Sequence, residues 1–175
     1  MSQDLAMSRS VARDAEFVAF VQRCGRSLSG TAVLLTGDAT RGEDLLQAAL
    51  TKVYVQWSAN PDINELERYV RRVLATTHLS AQSRRSSTKI LTDWRPEQIT
   101  GDIAPDLVQR DEVLWALRQL SAKQRTALVF RFFDDLSAAE TGRLMGCSVG
   151  AVKQHTSRGL AHLRGLLPGG VRVTP

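Results

Sequence analysis

Two cysteines in 175 residues, Cys24 and Cys147, are too few and too far apart for a disulfide framework or a metal-spaced pair. They read as reduced thiols, which fits a cytoplasmic setting. The histidines, His78, His155 and His162, do not gather with them as zinc ligands would. No apolar run is long enough to cross a bilayer, and the start, MSQDLAMSRSVARDAEF, lacks the apolar core of a secretion signal. No membrane insertion is expected. Glycine-rich phosphate loops and a GxSxG elbow are missing. No nucleophile, base and orienter assemble by spacing, so an enzyme has no support and no cofactor or metal is expected. Alternating strand patterns are also missing, which leaves an all-α chain.

What the chain does have is a usable core and an uneven charge. Hydrophobic residues make up 43% of it and the formal net charge is +5. A basic balance suits a polyanionic partner, although alone it is a weak sign. From Arg68 to Lys89 there are bases and no acid, whereas Asp93, Glu97, Asp102, Asp106, Asp111 and Glu112 dominate the next stretch. That acidic stretch also holds Pro96, Gly101 and Pro105, which break helix continuity. The expected organisation is a tail over 1–13, a helical domain over 14–82, a linker over 83–106, a second helical domain over 107–167 and a tail over 168–175.

In the first domain, Phe17, Val18, Phe20, Val21, Leu28 and Val33 to Leu35 mark a helix from Ala15, which Gly37 closes. Asp38 can cap the next helix. Within it, Leu45, Leu46, Ala49, Leu50, Val53, Tyr54 and Trp57 form an inward stripe, and Asp44, Gln47, Thr51, Lys52 and Gln56 lie opposite. Asn60-Pro61-Asp62 is a turn. A third helix spans Asn64 to Gln82, with Leu66, Tyr69, Val70, Val73, Leu74 and Leu79 inward. In the second domain one helix covers Asp111 to Leu120. Ser121 caps another over Ala122 to Phe133, with Leu128, Val129 and Phe132 inward. Ser137 and Ser148 cap two more, Ala138 to Met145 and Val149 to about Leu166.

Those last two helices meet at a tight corner. The first needs a small residue where the second presses on it, the turn needs tolerance of positive φ, and the second needs an apolar residue facing back. Gly142, Gly146 and Val152 have the spacing for those jobs. Val149, Gly150, Ala151, Lys153, Gln154, Ser157 and Arg158 are then left at the start and outer face of the second helix, where donors suit bases and phosphates. The same pattern also describes an ordinary αα-corner with a solvated basic face.

The segment from Ala116, ALRQLSAKQRTALVFRFFDDLSAAETGRLMGCSVGAVKQHTSRGLAHLRGLL, resembles region 4 of bacterial RNA polymerase sigma factors. LLTGDATRGEDLLQAALTKVYVQW, Leu34 to Trp57, and ERYVRRVL, Glu67 to Leu74, resemble region 2 of the extracytoplasmic-function (ECF) group. The nearest likeness is to the actinobacterial-type SigE subgroup. The resemblance implies core RNA polymerase and promoter DNA as partners. Asp44, Gln47 and Lys52 would meet the β′ coiled coil. Arg68, Arg71, Arg72, Thr76, Arg84 and Arg85 would recognise and open the minus-ten element. The outer face from Val149 to Arg158 would read the minus-thirty-five duplex, with Leu128 to Asp135 near the β flap. An anti-sigma protein is a common further partner of such chains. Family members usually carry asparagine at Thr76, and often tryptophan and arginine at Ala81 to Ser83, so minus-ten contacts are the least typical part. A lone helix-turn-helix regulator and a sigma-like protein that no longer opens promoters stand as alternatives.

Overall fold

The computed structural model describes residues 2–56, 63–87 and 105–166, and every regular element among them is helical. Seven helices follow one another: α1 (Ser2–Thr36), α2 (Ala39–Gln56), α3 (Ile63–Ser87), α4 (Pro105–Gln119), α5 (Ala122–Leu128), α6 (Ala138–Met145) and α7 (Val149–Leu166). A π-helical turn, Val129–Phe133, extends α5. The Asn60-Pro61-Asp62 turn, Trp57, most of the linker and the C-terminal tail lie outside the described residues. Three boundaries differ from expectation. Helix α1 begins at Ser2, within the expected tail, α3 runs on to Ser87, and α4 starts at Pro105, both within the expected linker.

Local chemistry sets most helix ends. Gly37 takes φ +72° and its N–H bonds Val33 O at 2.7 Å, closing α1. Asp38 Oδ1 accepts from the Arg41 N–H at 2.8 Å and so starts α2. Ser121 with Gln124, and Ser137 with Glu140, form reciprocal capping boxes at α5 and α6. Pro105 opens α4 at a position where a missing N–H costs nothing.

Helices α1, α2 and α3 build the first core. Phe20, Leu28, Ala32 and Leu35 from α1 meet Leu45, Ala49, Leu50 and Val53 from α2, and Leu66, Val70, Leu74 and Ala75 from α3. At Gly42 a side-chain carbon would stand 2.8 Å from the Val33 backbone, so glycine lets α2 lie directly on α1. The Tyr54 ring meets Phe17 edge-on at 5.1 Å, and its hydroxyl donates to Asp14 at 2.7 Å.

The second lobe completes this core. Val129, Phe130 and Leu144 belong to the same buried cluster, and Phe130 is fully buried. Burying one such ring stabilises by about 1.5–3 kcal/mol. A smaller cluster of Ala116, Leu117, Leu120, Leu128 and Leu163 joins α4, α5 and α7, and Leu34 of α1 packs against both clusters. Two side chains depart from the expected inward set: Tyr69 and Phe132 are exposed, whereas His78 is buried. The Phe132 reversal follows from the π turn. Asp134 N–H reaches back to Val129 O, five residues away, so the stripe extrapolated from α5 loses register there.

Candidate nucleic-acid interface

The corner between α6 and α7 forms as its residues dictate. Gly146 ends α6 in the left-handed region at φ +66°. Cys147 N–H bonds Gly142 O at 2.9 Å, and the Ser148 hydroxyl accepts from the Ala151 N–H at 3.2 Å. A side-chain carbon on Gly142 would lie 2.7 Å from Cys147 O, so the turn folds directly over this glycine. Val152, fully buried, faces back onto Gly142, and Gly159 and Leu163 continue the inward side of α7.

This orientation fixes what α7 presents. Val149, Gly150, Lys153, Gln154, Ser157 and Arg158 are exposed, while Ala151 is half-buried. Small residues at the start leave the helix end open to close approach, and the long donors follow one turn later. His155 sits half-buried beside this face. Burial pushes its imidazole below the ordinary value, and the charges of Lys123 and Arg158 push the same way. The side of α7 that meets solvent is therefore basic at neutral pH without the histidine.

The α3 arginines divide. Arg68, Arg72, Thr76 and Arg84 are exposed. Thr76 spends its hydroxyl on its own helix, donating to Arg72 O at 2.9 Å. Arg85 lies on α3, outside the residues whose side chains are described. Arg71 is turned inward. It pairs with Glu67 one turn earlier, donates to the Ser27 hydroxyl at 3.2 Å, and brings its Nε within 3.3 Å of Asp134 Oδ2. Burial works against its charge, yet Glu67 and Asp134 outweigh burial and hold the guanidinium above its ordinary value.

On α2, Asp44, Gln47 and Lys52 are all exposed on the side away from the core. Lys52 Nζ reaches Thr77 Oγ1 at 3.1 Å, which ties this face to α3. A further surface lies in the second lobe. Val113, Phe132, Phe133 and Leu160 line an apolar cleft of about 230 Å³, floored by Leu117 and Leu128. Cys24 is a buried thiol and Cys147 is half-buried; neither is disulfide-bonded. Burial pushes the Cys24 thiol up, and Glu67 adds to the effect.

Sequence reasoning missed the residues that join the lobes. Asp134 accepts from Thr31 Oγ1 at 2.8 Å and faces Arg71. Glu140 is held below the usual carboxylate range by its hydrogen bonds with Ser137, with smaller help from Arg68 and Arg143. Arg125 reaches three carbonyls: Leu35 at 3.0 Å, Arg118 at 3.1 Å and Leu120 at 3.2 Å. The sequence signal was a pair of acids, Asp134-Asp135, which with Glu140 interrupts the mostly basic stretch after Leu117.

Comparison with known proteins places these features in a family. The sigma-70 region 4 profile matches residues 110–163. The RNA polymerase sigma-E factor of Streptomyces coelicolor is 32% identical over 149 residues, covering 85% of this chain and 84% of that protein. The ECF RNA polymerase sigma factor ShbA of Streptomyces griseus is 31% identical, covering 75% of each. SigL of Mycobacterium tuberculosis is 28% identical over 76% of this chain and 78% of its own. Among solved structures, the sigma factor RpoE of Bartonella quintana, crystallised with the anti-sigma factor NepR, shares the fold. Its TM-score is 0.63 at 22% identity, over 87% of this chain and 97% of that one.

Proposed function

The chain belongs to the ECF RNA polymerase sigma factors, and from that premise we propose that it binds core RNA polymerase and directs promoter recognition and transcription initiation. The observation that carries this reading is the α7 face. Lys153, Gln154, Ser157 and Arg158 point outward from a helix whose opposite side is locked by Val152 against Gly142. A helix held that firmly can offer fixed donors to a major groove, with Gln154 suited to adenine and the two bases to guanine or phosphate.

The remaining roles follow the same premise. Asp44, Gln47 and Lys52 on α2 meet the β′ coiled coil of the polymerase. Arg68, Arg72 and Arg84 supply cations for the minus-ten strand, joined by Arg71, Thr76 and Arg85. The apolar cleft beside Phe132 and Phe133 suits the β flap. Residues 14–82 and 107–167 are the two functional units, the first for polymerase and minus-ten DNA, the second for minus-thirty-five DNA. RNA synthesis belongs to the polymerase, and the chain works beside it in the cytoplasm with no reaction of its own. An anti-sigma protein is a candidate partner, as NepR is for the Bartonella protein.

Transcription with purified core polymerase on fragmented genomic DNA from the source organism tests this reading. Discrete starts sharing two spaced upstream elements are the expected result. Polymerase binding without starts would indicate a sigma-like protein that no longer opens promoters. No polymerase binding at all would overturn the assignment.

A further inference from the structure

Helix α7 rests directly on α5. A side-chain carbon on Gly159 would lie 2.8 Å from Leu128 and 3.4 Å from the Gln124 side chain. Residues four apart share a helix face, so His155, one turn before Gly159, also lies toward α5. It is half-buried there, while Lys123 in the first turn of α5 and Arg158 one turn along α7 are exposed. The start of a helix is the positive end of its dipole, so Lys123 does not stabilise α5. None of the three side chains has a hydrogen bond or ion pair among the described residues. The charges that act on His155 are both positive, Lys123 and Arg158. Other charged groups of the elements packed on α7 are engaged elsewhere. Arg125 of α5 is bonded to the carbonyls of Leu35, Arg118 and Leu120, and Arg118 of α4 to Gly37 O. On α6, Glu140 is bonded to Ser137 and Arg143 acts on Glu140. Asp111 and Glu112 of α4 are exposed and are not among the charges that act on the ring. A phosphate brought to this cluster reverses the balance, because an anion favours the protonated imidazole.

We propose that His155 takes up a proton when promoter DNA seats on α7, with Lys123 and Arg158 against the same stretch of backbone, so that minus-thirty-five binding tightens as pH falls. The inference rests on the reading of α7 as the DNA-contacting helix. The proton comes from solvent and goes to the imidazole, and no other bond is made or broken. In the free chain burial and the two cations keep the ring neutral at neutral pH. Beside a phosphate the charged ring gains an opposite partner, so it holds its proton up to a higher pH. Linkage makes the effect reciprocal: if DNA strengthens proton binding, the proton strengthens DNA binding by the same factor. Affinity is then constant while the ring is neutral in both states, and constant again once it is charged in both. Between those limits it rises by at most about tenfold per pH unit as pH falls.

The full chain with core polymerase is the material for the test. The probe is a DNA duplex recovered from a random pool by this complex and not by core polymerase alone. Its affinity is measured at fixed salt at about pH 7.5 and about pH 5.5. The variants are His155→Gln, His155→Lys and Lys123→Gln. The parent is expected to bind about fivefold tighter at the lower pH, and His155→Gln to lose most of that gain. His155→Lys, which carries a permanent charge, should bind tighter than the parent at the higher pH and show little further gain on acidification. Lys123→Gln should lower the salt dependence by about one phosphate contact. Calorimetry at about pH 6.5 in buffers of different ionisation heat should show the parent taking up more protons than His155→Gln, by at most about one per duplex. Equal pH dependence of the parent and His155→Gln, equal proton uptake by the two, or an unchanged salt dependence for Lys123→Gln would overturn the proposal and leave α7 as a DNA reader. Recovery of no duplex at all would overturn that reading, and the proton linkage with it.

Discussion

Arg125 donates from Nη1 to the carbonyl oxygen of Leu35, 90 residues earlier in the chain, at 3.0 Å. Leu35 lies in the last turn of α1, where carbonyls have no partner within the helix. Arg118 serves the same helix end by donating to Gly37 O at 3.1 Å. The second lobe thus caps the first with cations, which also suits the negative end of the α1 dipole. Burial and the nearby Arg118 charge pull the Arg125 guanidinium down to about 10, and it remains charged at neutral pH.

Replacing Arg125 by Met keeps much of the stem and removes every donor. The carbonyls of Leu35, Arg118 and Leu120 are then left short of partners in a buried place. A loss of about 3 kcal/mol is expected, read by urea unfolding of the full chain. Lys at the same position recovers only part, because a point charge cannot span three acceptors. A change under about 0.5 kcal/mol would mean that water replaces these bonds without cost.

For promoter DNA, Lys153→Ala and Arg158→Ala are expected to weaken binding of the polymerase complex and to lower its salt dependence by about one phosphate contact each. Gln154→Ala should instead cost about 1–3 kcal/mol of discrimination at one base pair of the minus-thirty-five element. Titration of promoter duplexes across potassium chloride concentrations separates the two behaviours. Equal salt slopes for all three variants would contradict the assigned roles.

Asp44→Ala removes an exposed carboxylate that supports nothing in the fold. Its melting temperature should match the parent, while affinity for core polymerase falls by about tenfold. Sedimentation or fluorescence binding with purified core enzyme measures this. An unchanged affinity would move the polymerase contact elsewhere on α2.

The corner itself has a backbone requirement. Gly146 sits at φ +66° with open space where a side chain would go. Gly146→Ala should therefore cost about 1 kcal/mol through backbone strain alone, and Gly146→Asn less. Thermal unfolding distinguishes them. Equal stability of the two variants would show that φ is not the constraint.

Glu140 gives an acid-side signature. Its hydrogen bonds with Ser137 depress the folded-state carboxyl below the ordinary value of 4.5. The stabilisation is present above that unfolded value and is lost as pH falls through the lower folded one. Glu140→Gln retains a capping partner but cannot titrate. Melting curves between pH 6 and 3 should then lose part of their pH dependence. Superimposable pH profiles for the two proteins would remove Glu140 from the acid transition.

What could be read in advance was local. Ser121, Ser137, Ser148, Gly37 and Gly146 act through neighbours within a few residues, so their roles are visible in the sequence. The exposed faces of α2 and α7 followed from helical period alone. Phe132 was misjudged because a π turn breaks that period, and nothing in VFRFF announces one. Tyr69 lies in an apolar-looking position, yet its hydroxyl donates to Gln56 at the surface. Arg71 carries no sign of its burial: Glu67 one turn earlier reads as an ordinary helix-surface pair, and Asp134, the acid that meets it from the second lobe, comes from 63 residues away. Pairings of that range depend on how the lobes pack, which spacing within one helix does not encode.

The shared core also imposes an order on biosynthesis. A ribosome finishes α3 at Ser87, but Phe130 and Leu144, which fill the remaining space among α1, α2 and α3, are still unmade. At ordinary elongation rates the gap lasts about 3–12 seconds, not counting passage through the exit tunnel. During that interval the nascent first lobe carries an open apolar seat, and a chaperone or the polymerase is the surface available to cover it.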